Sequence, residues 1–197
     1  AKIGPDGSLG KAKRIAGGMT ESIFQPSWSP DGILYFISDK SGWWNLYRWN
    51  QHKIDSLCPM NAEFGIPHWI FGESTYAFKS EKEIICTYIQ HGNSYLSILD
   101  TITGKIDIID TPYTSIRFVH SNSEYVVFVG ASAIEPAAIV KLDFKSHKIE
   151  VLRHSIKLAI DSEYLSMPQA IEFPTDRHLT SHAFFYMPKN PDYVGSA

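Results

Sequence analysis

A chain of 197 residues with 44% hydrophobic residues can bury a sizeable core, and its net charge of −3 offers no basic surface for nucleic acid or an anionic membrane. Charged residues make up 20%, the balance of a globular rather than a disordered protein. No run of about 18 apolar residues occurs, so no membrane span is expected, and Ala1-Lys2-Ile3-Gly4-Pro5-Asp6-Gly7 lacks the charged-then-apolar pattern of a signal peptide. The absence of an initiator Met fits a chain cut from within a longer protein. Cys58 and Cys86 are the only cysteines and show no metal-binding spacing. They read as reduced thiols acting as small core hydrophobes, which points to a cytoplasmic location.

In chain order, residues 1–20 carry the tail of an earlier unit. Asp6-Gly7-Ser8-Leu9-Gly10 resembles a turn, and Lys13-Arg14-Ile15-Ala16 a final strand. A first full unit then begins at Phe24-Gln25-Pro26-Ser27-Trp28. The turn Ser29-Pro30-Asp31-Gly32 follows, its Pro and Gly supplying a fixed φ and a positive φ. Further strands are expected over 33–38, 45–49 and 53–58, with a turn at Lys40-Ser41-Gly42. The second unit predicts strands over 76–79, 84–89, 95–99 and 105–109, and the third over 116–120, 125–129, 138–142 and 148–152. Each ends on the same mark: Lys53-Ile54-Asp55, Lys105-Ile106-Asp107, Lys148-Ile149-Glu150. Four short strands repeating at about 40–50 residues are the sequence mark of a β-propeller.

A propeller closes with roughly four to eight blades. Three blades do not close, so the expected fold is all-β, an open arc of about three four-stranded blades. Residues 63–72 read as an extra loop before the second unit, on a face where binding often occurs. After about residue 156 the rhythm stops. Strands over 166–173 and 181–187, joined by Pro174-Thr175-Asp176-Arg177-His178, form a hairpin that opens a second domain. The expected organisation is the preceding blade's tail over 1–20, three blades over 21–158, and linker plus hairpin over 159–197.

Chemistry-bearing motifs are few. The sequence has no GxSxG elbow, HExxH, P-loop or GxGxxG. His52, His91 and His147 fall in predicted turns, as does His120-Ser121, and none has the setting of a metal ligand. Glu81 and Glu83 flank a turn and read as solubility charges. No cofactor and no metal are expected. Gly42-Trp43-Trp44-Asn45 is the most suggestive local feature, because adjacent tryptophans in a loop either stack a ligand or pack between blades. The loop 130–136 occupies the equivalent place in the third unit, and there Glu135 is a candidate contact for a cation. Trp43, Trp44 and Glu135 are the candidate substrate-binding residues, and no catalytic residue is assigned.

Glu21-Ser22-Ile23-Phe24-Gln25-Pro26-Ser27-Trp28-Ser29-Pro30-Asp31-Gly32 and Ser38-Asp39-Lys40-Ser41-Gly42-Trp43-Trp44-Asn45-Leu46-Tyr47-Arg48 resemble the propeller of prolyl oligopeptidase family serine peptidases. The likeness is greatest to the dipeptidyl or acylaminoacyl peptidase-like branch. Ile171-Glu172-Phe173-Pro174-Thr175, with His182-Ala183-Phe184-Phe185-Tyr186 and Asn190-Pro191-Asp192-Tyr193, resembles that family's passage into its α/β-hydrolase domain. The resemblance implies a propeller that covers the active site, admits small peptides and contacts the substrate's end. It places the catalytic Ser, Asp and His beyond residue 197, so this chain alone is expected to be inactive.

Two other readings stand beside it. A TolB-type propeller would be an interaction module with no peptidase attached; it should close or stop after the third unit rather than start a hairpin. A carbohydrate-binding or glycosidase propeller would use Trp43 and Trp44 but lacks a suitable carboxylate pair. For the parent enzyme, the expected partners are a peptide substrate and a C-terminal hydrolase domain. The open arc itself predicts either self-association or folding back of residues 1–20 and 160–197 over its raw faces.

Overall fold

The computed structural model describes residues 1–197 except His68, Leu158, Val194, Ser196 and Ala197. Among the described residues the strands form three four-stranded antiparallel meanders and one two-stranded hairpin. Blade 1 runs β1 (Ile23–Trp28), β2 (Leu34–Ser38), β3 (Asn45–Trp49), β4 (Ile54–Ser56). Blade 2 runs β5 (Tyr76–Phe78), β6 (Glu83–Gln90), β7 (Asn93–Asp100), β8 (Ile106–Ile109). Blade 3 runs β9 (Ser115–Ser121), β10 (Tyr125–Ala131), β11 (Ala138–Asp143), β12 (Ile149–His154). The hairpin is β13 (Pro168–Pro174) and β14 (Thr180–Tyr186). The expected open arc of three blades is the observed fold.

Local chemistry sets each turn. Ser29 Oγ accepts from Ile33 N–H at 2.9 Å and lies 2.5 Å from Asp31 Oδ1, while Gly32 takes the positive φ of 81° that the turn needs. The turn before each Lys-Ile-acidic mark repeats a second device. Asn50 Oδ1 accepts from Lys53 N–H, Asp100 Oδ1 from Ile102 and Thr103 N–H, and Asp143 Oδ1 from Lys145 and Ser146 N–H. The bond from Thr103 leads the causes holding the Asp100 carboxyl below its usual range, and the bond from Ser146 does the same for Asp143.

The blades pack face to face. Phe24, Tyr35, Ile37 and Leu46 of blade 1 meet Tyr76, Ile84, Cys86 and Tyr88 of blade 2 in one core. Ile85 and Leu96 of blade 2 meet Ile116, Val126, Phe128 and Val140 of blade 3 in another. The run Ile84-Ile85-Cys86 in β6 is apolar on both faces because alternate residues feed both cores: Ile84 and Cys86 point one way and Ile85 the other. Both thiols are free and buried, and burial pushes the Cys58 thiol up to about 12.

Strands β1, β5 and β9 lie innermost, since they reach one another across the blade boundaries. Gln25, at φ 46° in a bulge of β1, donates from Nε2 to the Tyr76 carbonyl at 2.7 Å and accepts from Thr75 N–H at 2.8 Å. Tyr76 returns a hydrogen bond from its hydroxyl to the Gln25 carbonyl at 2.8 Å. One blade on, Ser74 Oγ donates to the Val119 carbonyl at 2.8 Å and the Ser74 carbonyl accepts from Val119 N–H at 2.9 Å. Beside Val119, Phe118 takes φ 55° in the bulge of β9, the counterpart of Gln25.

Three local expectations need correction. Lys13-Arg14-Ile15-Ala16 makes no strand: among the described residues no strand pairs with it, and Lys13 instead sets its ammonium 5.4 Å from the Trp49 ring centre. His120 and Ser121 belong to β9, paired with Val127 and Val126, and the turn starts at Asn122, whose Oδ1 accepts from Glu124 and Tyr125 N–H. Residues 63–72 are only partly an extra loop. Phe64 is buried in the first core and Glu63 bridges to Ile89, so the start of the segment is part of the joint between blades 1 and 2. His68 of that loop lies outside the described residues.

The N-terminal segment lies against blade 1, where Lys2, Lys11 and Ile15 face Trp28, Leu34 and Trp49 across a groove of about 980 Å³. On blade 3, Ile139, Val151 and Leu152 remain exposed.

The candidate site at the loop-bearing end

In each blade the connection from the second to the third strand lies at one end of the arc: 39–44, 91–92 and 132–137. The chain also returns to that end between blades, over 57–75 and 110–114, because β4 and β8 run back toward it. Here Leu57 N–H donates to the Leu46 carbonyl at 3.0 Å and Ser94 N–H to the Thr114 carbonyl at 2.9 Å. The hairpin stands at the same end. The Phe184 ring of β14 packs so closely on Gly92, in the β6–β7 turn, that a Cβ there would collide with it.

The two tryptophans separate. Trp43 is 40% exposed, and its carbonyl accepts from Ser41 Oγ at 3.0 Å. Trp44 packs on the first core, its ring edge-on to Phe24 with centres 6.4 Å apart. Its N–H donates to Glu63 Oε2 at 2.9 Å and its carbonyl accepts from Phe64 N–H at 2.7 Å. The ring lies over Gly65, where a Cβ would come within 2.8 Å of it, so glycine permits the close approach. Trp44 is thus a packing residue between loop and blade, and Trp43 is the one that faces solvent.

Glu135 is exposed in a tight turn in which its N–H donates to Ser132 Oγ at 3.1 Å. The Tyr113 hydroxyl lies near enough to feel its charge. Burial first, and the Glu135 carboxylate second, raise that phenol above its ordinary value. Trp43 and Glu135 therefore share one end of the arc but stand on blades 1 and 3, with blade 2 between them. They are not in contact.

Sequence reasoning missed two further features of this end. Trp69, Ile70 and Phe71 form an exposed apolar tip on the 63–72 loop, legible as three consecutive large hydrophobics outside any strand. Arg117, on the inner strand β9, is paired through Nη2 with the Glu73 carboxylate just before β5. No local motif joins residues 44 positions apart; only the stacking of two inner strands does. Among the described residues no group of three or more His, Cys, Asp or Glu gathers to hold a metal ion, and no helix is long and apolar enough to cross a membrane.

No family model and no curated protein matches the sequence. Solved structures do. A puromycin hydrolase matches 99% of this chain at 29% identity and TM-score 0.89. A puromycin-hydrolyzing peptidase of Mycobacterium tuberculosis matches 98% of it at 27% identity and TM-score 0.89. The resemblance is to the propeller of a prolyl oligopeptidase-family peptidase. The chain spans 30% of the length of these relatives. TolB from Acinetobacter baumannii matches 87% of the chain at 14% identity and TM-score 0.55, which is a likeness of fold alone. The prolyl oligopeptidase-type likeness extends over 98–99% of this chain, so it takes in the C-terminal hairpin as well as the blades.

Proposed function

We propose that this chain is the substrate-gating propeller portion of a serine peptidase, helping to bind short peptides for a hydrolase domain. In this reading residues 1–20 end a preceding blade, 21–158 are three blades, and 159–197 are linker and first hairpin of that domain. One observation carries it. The β13–β14 hairpin leans through Phe184 on the end of the arc that also bears Trp43 and Glu135. A domain continuing from that hairpin would face those side chains and enclose the space between. Two buried free thiols fit a reducing, cytoplasmic setting. The TolB-like reading, an interaction module without peptidase activity, leaves the hairpin without a role.

Titrating the isotope-labelled chain with short peptides tests this. Shifts should gather at Trp43, Glu135 and the neighbouring loop residues, and shifts spread evenly over the arc, or none, would sink the reading. The same preparation should hydrolyse chromogenic aminoacyl substrates only at background rate, because acyl transfer needs a nucleophile, a base and an oxyanion hole together. Turnover abolished by a serine-directed inhibitor would contradict it.

Self-association of the arc belongs to the same proposal. Ile139, Val151 and Leu152 stay exposed on blade 3, whereas the N-terminal segment already lies over blade 1. Light scattering over a concentration series should show a dimer growing in, and a constant monomer mass would rule the pairing out.

A further inference from the structure

Arg117 is an unusual inner-strand residue. Its side chain is 46% exposed, while that of its partner Glu73 is 1% exposed. The space between blades 2 and 3 is filled by Ile116, Val119, Val126 and Phe128. An exposed side chain of blade 3 therefore meets Glu73, in the connection leading into β5, around the inner edge of the blades and not through the core. Position along the strand fixes the rest. Arg117 pairs with Val129, and β10 ends two residues later at Ala131, at the loop-bearing end. The guanidinium thus stands on the inner rim of the same end as Trp43 and Glu135.

Among the described residues, Nη2 is the guanidinium atom bonded to Glu73, and Nε and Nη1 remain as donors. The negative charge of the pair is buried and the positive charge faces outward. A guanidinium already held by a buried carboxylate loses little freedom on taking a second oxyanion, and each N–H it still has free can give a carboxylate one charge-assisted hydrogen bond. The phenyl ring of Phe118, 5.8 Å from the guanidinium carbon, further limits its movement.

We infer that Arg117 is a binding residue for the carboxylate of a peptide, with Glu73 as its positioning residue. The inference rests on the peptide-binding reading above and deepens it by naming the chemical group that is read. Two sources of that group are distinguishable, the peptide's free C-terminus and an acidic side chain.

The test titrates the full chain with tetra-alanine, with tetra-alanine amide, and with an amide peptide ending in Asp, following backbone shifts at blades 2 and 3. Tetra-alanine should bind at least about tenfold more tightly than its amide, as expected for a lost charge-assisted hydrogen bond. Recovery with the Asp peptide would assign the contact to side-chain carboxylates; no recovery would assign it to the C-terminus. In Arg117→Met the acid and amide should bind alike. Arg117→Lys should keep part of the preference, with a steeper salt dependence. Glu73→Gln should weaken acid binding while leaving amide binding unchanged. Equal binding of acid and amide by the unaltered chain overturns the inference and leaves peptide binding standing. Failure of every peptide to bind overturns the peptide-binding reading itself. Thermal melts of each variant separate a clasp from a binding residue: a variant that melts lower yet keeps the acid-over-amide preference marks Arg117 as a blade clasp only.

Discussion

Phe64→Ala should cost about 3–5 kcal/mol of folding stability, the range for truncating a fully buried aromatic. Phe64 is 1% exposed, though it sits in a connecting segment rather than a strand. Its ring lies 5.3 Å from that of Tyr88 on blade 2, and its N–H is held by the Trp44 carbonyl at 2.7 Å. Removing the ring would open a cavity between two rigid sheets that cannot close over it. Phe71, in the same loop, is 102% exposed, and Phe71→Ala should change stability by no more than about 0.5 kcal/mol. Urea unfolding of the pair reads the contrast directly. A loss below about 1.5 kcal/mol for Phe64→Ala would mean that the segment is not part of the joint.

Gln25→Ala should cost about 1–3 kcal/mol, because it strands the Thr75 N–H and Tyr76 carbonyl that the amide side chain now satisfies. Replacement by Gly separates two contributions. Gln and Ala both bear the strain of φ 46°, whereas Gly does not. Gln25→Gly should therefore be less damaging than Gln25→Ala, by about 1 kcal/mol. Equal losses would show that the bulge carries no strain, and a negligible loss for Ala would show that the clamp between inner strands contributes nothing.

These two residues also mark what a sequence reveals. The blades were legible because turn chemistry is local: Ser29, Gly32 and the Lys-Ile-acidic marks each act within a few residues. Cys58 and Cys86 were read as core hydrophobes because they lack metal-binding spacing, and both are buried. Phe64 was not legible, since nothing in its neighbours separates a buried loop aromatic from the exposed Trp69 and Phe71. Gln25 was hidden for another reason. Its partners are 50 and 51 residues away, and its amide mimics a peptide group, which leaves no compositional trace. At the candidate site, Trp43 and Trp44 were found as a pair. Their division of labour depends on Gly65 and Glu63, which the sequence places in the extra loop before the second unit.

Among the described residues the two cores have no side chain in common, and the sheet of blade 2 is the member that belongs to both. Mechanically the arc is two couplings in series, and a load on one is not shared by the other. Should the coupling between blades 1 and 2 yield, the pair formed by blades 2 and 3 would keep its own interior, so the architecture permits a half-folded form. A single melting temperature would then average two events rather than describe one.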